Sequence, residues 1–145
     1  MQIVLERGVD DIVFGMTEAE LVTLLGEPDK VESDSEYGIT RLFYYKRKLV
    51  LNIEDSNDSC LGWLEVHNHQ ARWLGLNPWT LAPDILLARL GHYLHDTYAV
   101  DDYGGMESYN FDRYWLELQY VLGDLSAFNF GVTYGADDRP LWPPR

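Results

Sequence analysis

The spacing of apolar residues changes along the chain, and each change marks an element. Leu21, Leu24 and Leu25 recur at helical spacing and lay one apolar stripe on a core. Thr17 and Glu20 stand at the positions of a capping box, and Met16 with Leu21 at those of a hydrophobic staple. Gly26 suits the left-handed closing residue of a helix, and Pro28 prevents its resumption, so a short helix is predicted over 17–26. The period then becomes two. Leu42 and Tyr44 alternate with Phe43 and Tyr45, the pattern breaks at Lys46-Arg47-Lys48, and Leu49, Leu51 and Ile53 resume it against Val50 and Asn52. A turn at Ser56 to Ser59 precedes a third strand, in which Leu64 and Val66 alternate with Trp63, Glu65 and His67.

The same succession returns later. "APDILLARLG" at 82–91 matches "TEAELVTLLG" at 17–26 with a shift of 65, with Pro83 at the first helical position and Leu81 with Leu86 as the staple. A hairpin is predicted about Asp112 to Tyr114, with Leu116, Leu118 and Tyr120 alternating, and "AFNFGVTY" follows as the last strand. The predicted fold is α+β, built as two tandem repeats, 1–70 and 71–145. Each is too small to bury much core alone, so the two should pack as one body. The helices should lie on one side of a largely antiparallel sheet, with a short structured junction near 67–78. Leu21, Leu25, Leu51, Ile53, Val66, Leu86, Leu90, Leu118 and Phe130 should be buried.

Charge narrows the range of partners. The 145 residues carry 11 basic and 24 acidic side chains, a formal net charge of −13. The acidity is spread over both halves, with six basic against fourteen acidic residues in 1–70 and five against ten in 71–145. Such a surface repels phosphate backbones and anionic lipid, which predicts no nucleic-acid or membrane binding and suits a basic protein partner. The N-terminal stretch lacks the pattern of a secretory signal, and no segment has the length of a membrane span. Cys60 is the single cysteine, so no intramolecular disulfide is expected and a cytoplasmic location is predicted.

The stretch "IVFGMTEAELVTLLGEPD", an apolar-x-Phe-Gly-Met-Thr run leading into a short helix that ends Leu-Gly, resembles the repeat unit of a protein-binding superfamily. That superfamily comprises the β-lactamase-inhibitor proteins and the BamE/SmpA-type outer-membrane assembly lipoproteins. The likeness covers Asp11 to Lys30 and is topological beyond. It implies tandem helix-plus-sheet units whose sheet surface and loops grip a protein. The disulfides of the secreted inhibitors and the export signal of the lipoproteins have no counterpart here, so their partners do not carry over.

Candidate chemistry is sparse. His67 with His69, and His92 with His95, are the strongest metal-ligand pairs by spacing, yet residues at such positions are most often half-exposed polar groups. Cys60 has no histidine near it in sequence, and no phosphate loop, nucleophile elbow or zinc-protease motif occurs. No catalytic residue, metal or cofactor is assigned, and the chain is read as a non-enzyme. Fourteen of twenty Phe, Trp and Tyr residues fall in 71–145. Two uses fit that surplus: extra core, or a binding face rich in rings. On the second, Trp63, Glu65, Tyr109, Phe111 and Trp115 form the sheet face away from the helices, with Asp101, Asp102 and Tyr103 at its rim. The function expected is an inhibitor-type binding protein, an immunity protein that neutralises a basic toxin or nuclease. The alternatives are an assembly module or homo-oligomer, of open oligomeric state, and, third, a small metal-dependent enzyme.

Overall fold

The computed structural model describes residues 1–145. Gln2–Val4 (β1), Gly8–Val9 (β2) and Ile12–Val13 (β3) form a small meander and lead into helix α1, Glu18–Leu25. Lys30–Asp34 (β4), Ile39–Tyr44 (β5), Leu49–Glu54 (β6) and Cys60–Val66 (β7) follow as an antiparallel meander. The junction holds Arg72–Trp73 (β8), which pairs parallel to β1, and then comes helix α2, Pro83–Leu94. Ala99–Asp102 (β9), Met106–Phe111 (β10), Leu116–Val121 (β11) and Asp124–Gly131 (β12) make a second antiparallel meander. The chain is therefore α+β. Its main sheet has eight strands in the order β4-β5-β6-β7-β12-β11-β10-β9, and its minor sheet the order β3-β2-β1-β8.

One apolar cluster holds the two helices to the main sheet. It gathers Leu21 of α1, Leu86, Leu87, Leu90 and Leu94 of α2, and strand residues from Leu42 to Phe130. Within each strand the alternation chooses the members. Leu49, Leu51 and Ile53 on β6, Leu64 and Val66 on β7, Leu116 and Leu118 on β11, and Phe128 and Phe130 on β12 turn to this cluster. The minor sheet adds Ile3, Val9, Ile12, Val13 and Trp73, a layer that the sequence patterns do not announce because its strands are only two or three residues long. Of the nine residues expected in the core, Leu25 alone is not fully buried. It lies on the margin of the cluster, while Leu21 takes the central place.

The start of α1 follows its sequence signal. The Glu20 N–H donates to Thr17 Oγ1 at 3.2 Å, and the Thr17 N–H donates to Glu20 Oε1 at 3.1 Å. Arg145 also clamps this point, donating to the Glu20 carboxylate and, at 2.7 Å, to the Gly15 carbonyl. The Arg145 guanidinium and the Thr17 N–H hold Glu20 down at about 2. Thr17→Ala is expected to cost about 1 kcal/mol of stability, as loss of an N-cap does, measurable by urea denaturation.

Helix α2 begins at Pro83 as expected but continues three residues past Gly91, to a left-handed cap at His95 (φ 52°). Space at Gly91 is tight. A Cβ there would lie 3.1 Å from the Asp96 carbonyl oxygen, where the chain folds back over the helix end.

Candidate binding face

The face of the main sheet turned away from the helices carries the other half of each alternation. Register places Arg41 beside Asn52, Asn52 beside Trp63, Glu65 beside Asn129, Asn129 beside Glu117, and Asn110 beside both Glu117 and Ala99. The result is a polar band across the sheet.

Charges on the two halves of this band are handled differently. In the first half, Arg41 Nη2 donates to both Glu65 oxygens at 2.8 and 3.0 Å, and Lys30 pairs with Glu32 at 2.7 Å. Burial pushes Glu65 up, but hydrogen bonds from His67, Arg41 and Asn52 outweigh it and hold the group below its ordinary value. In the second half, Glu117 accepts only neutral donors: Ser108 Oγ at 2.6 Å, Gln119 Nε2 at 3.1 Å and Asn129 Nδ2 at 3.1 Å. Asn129 Oδ1 is buried without any donor. Acceptors thus exceed donors there.

Two tryptophans stand where the halves meet. Trp63, on β7, lies over Gly131 of β12, where a Cβ would come within 2.7 Å of the indole ring. Trp115 follows the short 3-10 turn at Asp112–Tyr114, takes a left-handed conformation (φ 50°) and so escapes the strand alternation. Its ring is 49% exposed and sits 5.2 Å from that of Tyr134. A hollow lies on each side of the pair. One, of about 370 Å³, includes Asp112 and Glu117, and the other, of about 290 Å³, includes Glu54 and Tyr134.

Glu54 is half-buried, and its carboxylate occupies the room left by Gly62, where a Cβ would lie 1.5 Å from Oε1. Its one hydrogen-bonding neighbour is Asn57, whose Nδ2 donates at 3.0 Å and also reaches the Tyr134 hydroxyl at 2.7 Å. None of the chain's cations pairs with it. Burial raises its pKa, and the Asn57 bond offsets only part of that. The fold therefore holds the Glu54 proton more tightly than the unfolded chain does. Both states are protonated in strong acid, and stability is lost as the pH rises through the folded pKa. Glu54→Gln, which keeps the Asn57 bond, is expected to melt higher than the parent at about pH 7 and to match it at about pH 3 and below. Calorimetry across that range checks the sign.

Of the residues expected on this face, Trp63, Glu65, Asp101 and Trp115 are there. Phe111 and Tyr109 are not. They pair with Leu116 and Leu118 and turn to the helix side, where Phe111 is fully buried and Tyr109 packs on the cluster. Asp102 pairs with Glu107, also on that side at the sheet edge, and Tyr103 is an exposed ring in the following turn. Register decides this: once Leu116 and Leu118 face the core, the residues opposite them must follow, and Ser108 and Asn110 take the outer face. The histidines are dispersed. His67 Nδ1 lies 3.3 Å from the Ser126 carbonyl, His69 stacks on Trp79, and His92 and His95 stand 6.2 Å apart at the end of α2. No group of three or more His, Cys, Asp or Glu side chains is gathered so as to hold a metal ion, and no helix is long and apolar enough to cross a membrane.

No protein-family model and no curated protein matches this chain. Among solved structures, a match is found to the crystal structure of an extracellular protein containing a SCP domain from Bacillus anthracis str. Ames. It is 11% identical, has a TM-score of 0.47, and covers 89% of this chain and 49% of that one. The chain thus spans about half the length of that structure.

Proposed function

We propose that this chain is a non-enzymatic protein-binding scaffold of inhibitor type, an immunity protein that neutralises a basic toxin or nuclease. One observation carries the reading: the helix-free face of the eight-stranded sheet presents Trp63 and Trp115 among carboxylates that lack counter-ions. Tryptophans at the centre of a polar surface are the residues that most often dominate binding energy. A net charge of −13 speeds the approach of a basic partner. The strand order supports tandem repeats like those of the inhibitor and BamE/SmpA-type superfamily. Each half supplies a helix followed by a four-stranded meander, and the two meet edge to edge at β7 and β12. The single unpaired Cys60 suits a reducing, cytoplasmic setting.

The experiment is capture from the source cell with the parent and with a Trp63→Ala/Trp115→Ala variant, followed by mass spectrometry and an activity assay of what is retained. A basic protein held by the parent, lost from the variant and inhibited at equal stoichiometry supports the proposal. Equal retention by the variant, or a retained protein whose activity is unchanged, overturns it.

A second reading, an assembly module or homo-oligomer, has an observation of its own. A hollow of about 720 Å³ beside α2 is lined by Trp73, Leu74, Leu76, Ile85 and Tyr93, and Leu74, Ile85 and Tyr93 are exposed. Concentration-dependent mass in light scattering, abolished by Ile85→Glu, favours this reading over the first.

A further inference from the structure

We infer that the hollow between Glu54, Trp63, Trp115 and Tyr134 is a receptor pocket for a single arginine side chain of the partner. The inference rests on the protein-binding reading and adds which chemical group is gripped, and where.

Three features make this a built pocket. Its anion is prepared by the backbone: Gly62 leaves the space that the Glu54 carboxylate fills, so any larger residue on that strand position would displace the group. Its aromatic wall is prepared in the same way, because Gly131 lets the Trp63 indole lie against β12. Finally, Asn57 bridges Glu54 Oε1 and the Tyr134 hydroxyl, fixing floor and wall relative to each other. In the first half of this face the chain supplies its own cations, as Arg41 does for Glu65 and Lys30 for Glu32, but none of the chain's cations pairs with Glu54. A half-buried carboxylate left without a counter-ion costs stability, and a cation from outside offsets that cost.

The choice of arginine follows from the chemistry of the walls, two indoles and a phenol beside a carboxylate. A guanidinium is planar, stacks on indole and phenol faces, and donates in its own plane to a carboxylate. An ammonium is compact and more strongly hydrated, and it uses the ring faces less well. The volume of about 290 Å³ accommodates the head and the alkyl stem of one side chain.

A titration that needs no partner separates this pocket from the wider proposal. n-Butylguanidinium is added to the parent, with n-butylammonium and n-butanol as comparisons, while the two indole N–H signals are followed by NMR and assigned with Trp63→Phe and Trp115→Phe. Saturable shifts of both signals in the millimolar range are expected. Glu54→Gln should weaken binding about ten-fold, the worth of one charge-assisted hydrogen bond, and Glu18→Gln, exposed on α1 on the other side of the sheet, should leave it unchanged. Because Glu54→Gln is expected to melt above the parent, its loss of binding would not reflect unfolding. No saturable shift, equal binding by Glu54→Gln, or equal binding of the ammonium or the alcohol overturns the pocket. A failed titration beside a successful capture leaves the binding face standing without this pocket. A successful titration beside a failed capture leaves a small-cation site on a face with another use.

Discussion

Phe130→Ala is expected to destabilise the protein by about 3–5 kcal/mol, the cost of truncating a buried aromatic residue. Phe130 is fully buried on β12, the strand through which the later half of the main sheet joins the earlier half. It stands opposite Leu64 on β7 and Leu116 on β11, and its ring meets Phe14 edge-on at 5.5 Å and Phe128 at 6.0 Å. The cavity would thus open on both halves of the sheet and on the segment before α1. Since a domain of this size is stable by only about 5–15 kcal/mol, the loss is a large share of the total. Urea unfolding followed by tryptophan fluorescence and by far-UV circular dichroism should shift together, because one cluster ties both helices to the sheet. Leu122→Ala, at a residue 84% exposed in the β11–β12 turn, serves as the control and should stay within about 0.5 kcal/mol. A Phe130→Ala cost below about 1 kcal/mol, or separation of the two transitions, would mean that the halves do not share a core.

The elements legible in the sequence are those in which several local signals coincide. At α1 the capping box, the staple and the closing glycine act within eleven residues, and the helix lies where they place it, although of the apolar stripe only Leu21 is buried. At α2 a single glycine suggests the end, but the helix runs on to a cap at His95 whose chain folds back over Gly91, with the Asp96 N–H bonded to the Gly91 carbonyl, so a glycine within the last turn reads the same as one at its close. The minor sheet is invisible to periodicity because two residues cannot show a period.

The candidate face was legible in part for a related reason. A strand of period two has two phases, and which one faces the core is fixed by the neighbouring strand. Turning Tyr109 and Phe111 outward uses the surplus of rings, but the polar Ser108 and Asn110 that alternate with them mark the outer phase. Glu54 and Asn57 are close in sequence, but Tyr134 lies 77 residues beyond Asn57 and joins them only in the fold, so spacing along the chain does not reveal the group. One signal was available: Gly62 and Gly131 interrupt strand patterns, and a glycine inside a strand often marks the close approach of another group.

Replacing Trp115 or Trp63 by alanine is expected to cost about 2 kcal/mol or more of partner affinity, almost all of it as faster dissociation. Both rings border both hollows, so either truncation removes a shared wall. Trp115 offers the cleaner test, because its ring is 49% exposed in the free protein and its removal opens no core cavity. Trp63 covers Gly131 and part of β12, so Trp63→Phe is the control that keeps this cover. Asp101→Lys should act differently. Asp101 lies on the edge strand β9, exposed and far from the tryptophans in strand order, and contributes to the long-range field more than to contact. Its reversal should slow association and flatten the dependence of association on salt while leaving dissociation nearly unchanged. Surface plasmon resonance at several salt concentrations, with the captured partner immobilised, reads both rates. If Trp115→Ala dissociates as slowly as the parent and Asp101→Lys associates as fast, the helix-free face is not the interface. The exposed apolar residues beside α2 then become the surface to mutate next.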